Sequence, residues 1–281
     1  MNAEPDLDLS QVGMLYDKES VILFLTLPEV QAEEIEGMVR LQAEQISPYP
    51  MEKTCVAWEA VWQDTTHSRV LVTVCEASRL EPFRSSPQQE ISRIDVDIPA
   101  YWEAIQISVE PEDCGNGFHL ILLEEDLYLT AADEKGLCMI WPLPHAAEMS
   151  PAELEEELAS AAISLVATAP ELDTRQVTLW HRDPLPAWAA PFEQTGTGRD
   201  VRLKPLPDPE AGIASRTMSG DKLDLMPRAW TREKEQRSQR RKLLQLAAVL
   251  LGIWVLGMGF FLGRNLLLNQ KIRDLRESNT S

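Results

Sequence analysis

The residue types that most often carry catalysis or hold metals are sparse in this chain, and their spacing suits neither task. The four histidines are His67, His119, His145 and His181. None has the i, i+3 or i, i+4 partner of a metal-binding helix, and no His-Glu-x-x-His occurs, so each reads as a satisfied or surface imidazole. The four cysteines, Cys55, Cys75, Cys114 and Cys138, form no Cys-x-x-Cys pair. Their wide spacing suits neither a zinc ribbon nor a compact disulfide framework, and they read as reduced, mostly buried thiols of a cytosolic domain. There is no Gly-x-Ser-x-Gly elbow and no Walker A motif. Cys114-Gly115-Asn116-Gly117 and Gly196-Thr197-Gly198 lack the strand–glycine–helix context of a dinucleotide fingerprint and read as loops. Carboxylates are abundant, but runs such as Glu155-Glu156-Glu157 are the solvated face of a helix. No catalytic residue, cofactor-binding residue or metal ligand is assigned, and no cofactor is expected.

The charge distribution is more informative. The 281 residues carry 26 Lys+Arg and 45 Asp+Glu, a formal net charge of -19. Residues 1–227 hold 15 basic and 41 acidic side chains, whereas residues 228–281 hold 11 and 4. An acidic body is thus followed by a basic, apolar end. That balance excludes a nucleic-acid partner, because phosphate contacts need a basic face. A hydrophobic content of 44% and a charged content of 25% fit a packed protein rather than wholesale disorder.

From Leu243 to Gly263 no residue is charged, and Gln245 is the only polar side chain. As a helix this stretch is ~31 Å long, which matches a bilayer core of about 30 Å. A transmembrane helix over 243–263 is expected. Arg228, Arg232, Lys234, Arg237, Arg240, Arg241 and Lys242 precede it, and Arg264, Lys271, Arg273 and Arg276 follow. The excess on the N-terminal side predicts that the body is cytoplasmic, at an inner membrane, with residues 264–281 outside. The opening residues, with no basic n-region and no apolar h-region, point the same way. Arg237, Arg240, Arg241 and Lys242 in the juxtamembrane segment 228–242 either contact anionic lipid headgroups or act only as a topology signal. Gly259 and Gly263 form a small-xxx-small pair that permits close helix packing. Trp254, Met258, Phe261, Asn265, Leu268, Ile272 and Leu275 recur at spacings of 4 and 3, an a/d seam that runs out of the span. Asn265 is the polar position that would fix register. A homodimer with a short outer coiled-coil tail over 264–281 is one reading, and a lipid-facing apolar stripe is the other.

In the body, Val12–Tyr16 and Ser20–Leu27 read as strands of a hairpin around Asp17-Lys18-Glu19. A helix follows, with Glu33, Glu34 and Glu36 near its start and Ile35, Met38, Val39, Gln42 and Ile46 facing inward. Pro48 and Pro50 stop it. Thr54–Gln63 and Arg69–Glu76 read as strands, as does Ser92–Ile98, and Pro99–Ile105 as a short helix or turn. Phe118–Leu123, Leu127–Ala132 and Leu137–Trp141 read as a meander whose first turn is Glu124-Glu125-Asp126. Ser150, Pro151 and Glu153 predict a capped helix through Leu154, Leu158, Ile163 and Val166. Gln176–Trp180 and Val201–Leu203 close the body. Trp58, Trp62, Trp102, Trp141 and Trp180 read as core, and Trp188 as a contact surface. Residues 205–227, rich in Pro, Gly, Ser and Asp, have linker composition. The class is α/β.

The stretch from Ser20 to Glu81 carries a resemblance. A strand ending in Leu-Pro, a helix containing Val39-Arg40-Leu41-Gln42-Ala43-Glu44-Gln45-Ile46, the bend Ser47-Pro48-Tyr49-Pro50-Met51-Glu52 and a hairpin resemble the inserted subdomain of actin-like proteins in type IV pilus and type II secretion inner-membrane platforms. Ile94-Asp95-Val96-Asp97-Ile98-Pro99-Ala100 is similar to that family's return into the core. The resemblance covers some 80 to 90 residues. It implies a degenerate actin-like, ribonuclease H-like, two-lobed α/β domain plus one C-terminal transmembrane helix. One lobe would span 1–106 with the insertion and the second 107–204, followed by a linker at 205–227. The whole is similar to the L-type component of type II secretion, or to a fusion of M-type and N-type pilus components, but with a much shorter outer part.

Some actin-like relatives bind ATP through two phosphate-cradling hairpins. The matching turns here, Asp17-Lys18-Glu19 and Glu124-Glu125-Asp126, are acidic and lack glycine, so ATP hydrolysis is not expected. The resemblance implies a non-catalytic scaffold that docks a secretion ATPase to a membrane complex. The alternative is a membrane-anchored dimeric regulator or sensor with a ligand-binding α/β domain. The dimer is testable by crosslinking single cysteines placed along 261–275. Crosslinking that peaks every three to four residues along one face supports it, and uniform crosslinking removes it.

Overall fold

A computed structural model describes residues 9–28, 32–84, 91–110, 114–123, 126–143, 149–182 and 199–234, with scattered positions from 236 to 264. The chain divides into two compact units, Met1–Met226 and Pro227–Ser281.

The first unit is built on three sheets. Val12–Leu15 (β1) pairs in parallel with Arg93–Val96 (β5). Ser20–Pro28 (β2), His67–Glu76 (β4) and Thr54–Gln63 (β3) form an antiparallel sheet with β4 central. The expected β1–β2 hairpin does not form. A 3-10 turn at Asp17–Glu19 carries the chain out of one sheet and into another, and β2 takes β4 as its partner. β1 pairs along its whole length with β5 instead, where Leu15, the register partner of Val96, is fully buried.

Ala32–Ile46 (α1) covers one face of the antiparallel sheet. Its Ile35, Val39 and Ala43 pack on Val70, Val72 and Val74 of β4. The register puts Val21, Leu23 and Leu25 of β2, and Val56 and Trp58 of β3, beside those valines on the same face. Burying three β-branched side chains at about 1.5–3 kcal/mol each holds the helix in place. The opposite face, with Cys55, Ala57 and Glu59 beside Cys75, Thr73 and Leu71, turns toward the rest of the unit.

Glu81–Arg84 (α2) is a single turn that precedes β5, and Asp97–Ser108 (α3) follows β5 directly. The third sheet has the order β10-β9-β6-β7-β8, from Gly117–Leu123 (β6), Asp126–Asp133 (β7), Gly136–Leu143 (β8), Gln176–His181 (β9) and Asp200–Pro205 (β10). β6, β7 and β8 form the expected antiparallel meander, and β9 and β10 add in parallel. Pro151–Leu165 (α4) covers one face and starts with the expected capping box: Ser150 N–H donates to Glu153 at 2.6 Å, and Glu153 N–H donates to Ser150 Oγ at 3.3 Å. Its inner stripe is Leu154, Leu158, Ala161 and Leu165. Ile163 and Val166, expected inside, are exposed because a period of 3.6 carries them past the seam. Trp102 and Trp180 are buried, but Trp141 lies near the end of edge strand β8 and is 52% exposed.

Residues 205–227 are not a linker. Pro209–Ser219 (α5) is capped by Asp208, whose side chain accepts from Glu210 N–H, and ends at Gly220 in the left-handed region, φ 71°. α5 packs so closely on α3 that a Cβ on Gly212 would lie 2.0 Å from the carbonyl oxygen of Ala100. After it, Leu223 and Leu225 are buried, Leu225 N–H donates to Ile94 O at 2.8 Å, and Ile94 N–H donates to Asp224 at 3.0 Å. Small and polar residues here serve close helix contact and side-chain capping, which composition alone reads as a linker.

Arg216 of α5 is the polar centre of this packing. It donates to Asp95 at 2.9 Å through Nε and Nη2, and to Glu59 at 3.0 and 2.6 Å through Nη1 and Nη2. Burial opposes the Glu59 charge, but Arg216, the Leu223 N–H and Lys222 overcome it and hold the carboxyl below its usual range. Arg93 donates to the carbonyls of Arg216 at 2.9 Å and Leu223 at 2.7 Å. Arg216→Ala leaves two carboxylates without their guanidinium in the interior. It is expected to cost about 3–5 kcal/mol, read as a lower urea midpoint at unchanged slope.

Candidate functional site

In α/β sheets ligands gather at the carboxyl ends of parallel strands. Those ends are followed by the Asp17–Glu19 turn after β1, Asp97 after β5 and Arg182 after β9, and Asp126 starts β7 opposite the end of β6. Lys18 Nζ lies 3.4 Å from Asp126 Oδ2, which ties the Asp17–Glu19 turn to the first residue of β7. Both partners are more than half exposed, and such a pair contributes under about 1 kcal/mol. Glu19 is held by Arg79 at 3.4 Å. Arg182 Nη2 donates to the Tyr101 hydroxyl at 3.1 Å, and its guanidinium lies 5.9 Å from the ring centre. Burial pushes the Tyr101 hydroxyl up despite Arg182, with the carboxylates of Asp97 and Asp208 adding to the rise. Asp97 is buried and accepts from Ile98 N–H at 2.8 Å, at the start of α3.

The cations here, Lys18, Arg79 and Arg182, are each engaged by an acid or a phenol. Among the described residues no group of three or more His, Cys, Asp or Glu is arranged to hold a metal ion.

A second concavity of about 250 Å³ opens between β3, α3, the β7–β8 turn and α5, lined by Glu59, Trp102, Glu103, Lys135 and Lys222 among others. Its polar groups satisfy one another. Lys222 lies 3.5 Å from Glu103 and 3.8 Å from Glu59, and Ser215 Oγ donates to Glu103 at 2.9 Å. Lys135 is 4.4 Å above the Trp62 ring.

Behind Trp102 lies His119, its ring centre 4.8 Å away in an edge-on arrangement. Trp180 Nε1–H donates to Nδ1 at 3.2 Å, which leaves the proton on Nε2, 3.0 Å from the Gly115 carbonyl. The imidazole is neutral and satisfied, a core group rather than a ligand.

The expected membrane and seam residues fall mostly outside the described residues. These are Arg237, Arg241, Lys242, Trp254, Gly259, Phe261, Gly263, Asn265, Leu268, Ile272 and Leu275. Arg240 and Met258 are helical and exposed, as are Leu243, Leu244, Leu246, Leu251 and Phe260. Among the described residues no helix is long and apolar enough to cross a membrane. The tie between Lys18 and Asp126 was not visible in the sequence, since 108 positions separate the two residues.

No protein-family model and no curated protein matches the sequence. Solved structures do match. A chain of a PilM–PilN type IV pilus biogenesis complex superposes with TM-score 0.52 at 14% identity, covering 72% of this chain and 70% of that one. The fold is shared with a type IV pilus biogenesis protein. The cytoplasmic domain of EpsL, an inner membrane component of the type II secretion system of Vibrio cholerae, matches with TM-score 0.46 at 14% identity, over 77% and 76% of the two chains. A Bacteroides thetaiotaomicron protein with an actin-like ATPase fold matches with TM-score 0.46 at 12% identity, over 72% of each. The α/β fold is thus shared with the pilus chain, the family type to which the sequence resemblance pointed, at an identity that speaks to fold alone.

Burial pushes the His119 imidazole down to about 4, against the opposing pull of the Gly115 carbonyl. With the folded value depressed, the unfolded chain takes up a proton below about pH 6.5 that the folded chain refuses. Stability therefore falls between pH 6.5 and about 4, by about 2 kcal/mol from pH 7 to 5. Urea unfolding across that window reads the slope, and His119→Gln flattens this component of it.

Proposed function

We propose that the protein is a non-catalytic assembly-platform scaffold at the inner membrane of a type II secretion or type IV pilus-like machine. Its acidic body docks a cytoplasmic partner such as the secretion ATPase and couples it to the membrane complex. The observation that carries this reading is the shared fold combined with the two acidic turns at the carboxyl ends of the parallel strands, where Lys18 is spent on Asp126. A fold that presents carboxylates there is better suited to protein partners with basic faces than to polyphosphate. Charge complementarity of this kind speeds encounter more than it sets affinity.

In this reading residues 243–263 span the membrane and 228–242 lie against anionic headgroups, with Arg237, Arg240, Arg241 and Lys242 as the contacts. Gly259 and Gly263, with the seam from Trp254 to Leu275, pair two copies. The exposure of the described leucines, Met258 and Phe260 in this helical stretch suits a lipid surround. The acidic body is kept off the same lipids by charge.

Calorimetry of the full chain with magnesium-ATP tests the non-catalytic part, with no heat of binding at micromolar to millimolar nucleotide expected. Micromolar, magnesium-dependent binding overturns it. Capture of the tagged chain from detergent-solubilised membranes, read by mass spectrometry, is expected to bring down secretion or pilus platform components. Recovery of transcription or kinase regulators instead overturns the scaffold.

A further inference from the structure

The structure places two of the four thiols directly opposite each other. In the β3–β4 ladder Cys55 is the register partner of Cys75. Directly opposed residues of an antiparallel pair share a face and hold their Cα atoms about 4.5 or 5.5 Å apart, depending on the position in the ladder. Both separations lie within the roughly 4.4–6.8 Å that a disulfide spans. Directly opposed Cβ atoms are about 4.5–5.5 Å apart, against about 3.5–4.5 Å in a disulfide, so closing the bond draws the strands together by up to about 1 Å. Cys55 is the second residue of β3 and Cys75 the next to last of β4, near the strand ends, where the ladder has most freedom to adjust. Cys138 is buried and donates to Ala131 O at 3.3 Å, within the other sheet. Cys114 lies in the loop before β6.

We propose that Cys55 and Cys75 are a reversible dithiol site that reacts with low-molecular-weight disulfides and closes into a cross-strand bond. Cys55, partly exposed, is the attacking group, and Cys75, fully buried, is the resolving one. The Cys55 thiolate attacks one sulfur of the small disulfide, forms a mixed disulfide and releases one thiolate. The Cys75 thiolate then attacks Sγ of Cys55, forms the protein bond and releases the second thiolate. The two protons lost by the cysteines are taken up by the two released thiolates, so one small disulfide is reduced to two thiols for each protein bond formed. A cross-strand bond that pulls its ladder inward is strained, and strained disulfides are the labile, readily reduced ones. That makes the step reversible by ordinary thiols.

Burial pushes both thiols up, Cys75 to about 12, with Cys55 and the carboxylate of Glu19 adding to its rise. Reaction through the scarce thiolate is slow at neutral pH and accelerates about tenfold for each pH unit. The site therefore rests reduced and responds to sustained disulfide excess rather than to brief pulses.

Trypsin separates the two cysteines, because Lys53, Arg69 and Arg79 bracket peptides 54–69 and 70–79. The full chain, fully reduced, is incubated with oxidised glutathione at pH 8, quenched in acid and digested without reductant. The expected product is peptide 54–69 joined to peptide 70–79, lost on treatment with dithiothreitol. Cys75→Ser is expected to stop at a glutathione adduct on Cys55, and Cys55→Ser to leave Cys75 unmodified. In 8 M urea the preference should disappear and pairing should spread over all four cysteines. A native wild-type chain that yields only a glutathione adduct on 54–69, links to Cys114 or Cys138, or keeps Cys55 and Cys75 free throughout overturns the proposal.

Discussion

A guanidinium that water hardly reaches is tolerable only where its N–H groups find acceptors and its charge finds compensation. Arg216 is 2% exposed and meets both conditions through Asp95 and Glu59. Arg93 lies against Asp95, and Lys222 lies between Glu59 and Glu103, so the group closes as three bases and three acids. These six side chains come from β3, β5, α3, α5 and the residue stretch just after α5. Five separate pieces of backbone supply them, and losing Arg216 would strand both Asp95 and Glu59. The antiparallel β2–β4–β3 sheet, the β1–β5 pair and α5 thus hold one another in place through a single polar junction. The close α3–α5 contact at Gly212 brings Arg216 into reach of that junction.

How much of this was legible depended on range. Local signals worked. The Ser150-Pro151-Glu153 cap and the β6–β8 meander are set by neighbours within a few residues and formed as expected, and so did the α1 stripe through Ile35, Met38 and Val39, although Ile46 at its end is exposed. Failures came where distant partners decide. β1 looked like half of a hairpin because β2 follows it, yet its partner is β5, nearly eighty residues away. Residues 205–227 looked like a linker because α5 has few large apolar side chains. What anchors it is a glycine contact and a buried arginine, both of which resemble solvent-facing composition. Asp95 stood inside the stretch that resembled the family's return into the core, but its bond to Arg216 spans 121 positions and has no local trace.

At the candidate site, the residue types were legible and their meeting was not. The two acidic turns could be read off separately as poor phosphate cradles. That one donates the lysine to the other is a property of the folded chain. The tie has little energetic weight, but it commits the one cation of the first turn to Asp126. The same economy governs the cavity beside Trp102, where Lys222 is shared between two glutamates.

The short run after α5 has a mechanical side. Leu225 bonds to β5 through Ile94, and Asp224 bonds back to the same residue, with Leu223 and Leu225 buried on either side. The chain beyond Met226 begins the other unit. Any tension transmitted along the backbone at that boundary therefore enters the body at β5 and the arginine junction, at its most cross-braced point. A force-bearing tether anchored there would strain the interior before it peeled away the surface.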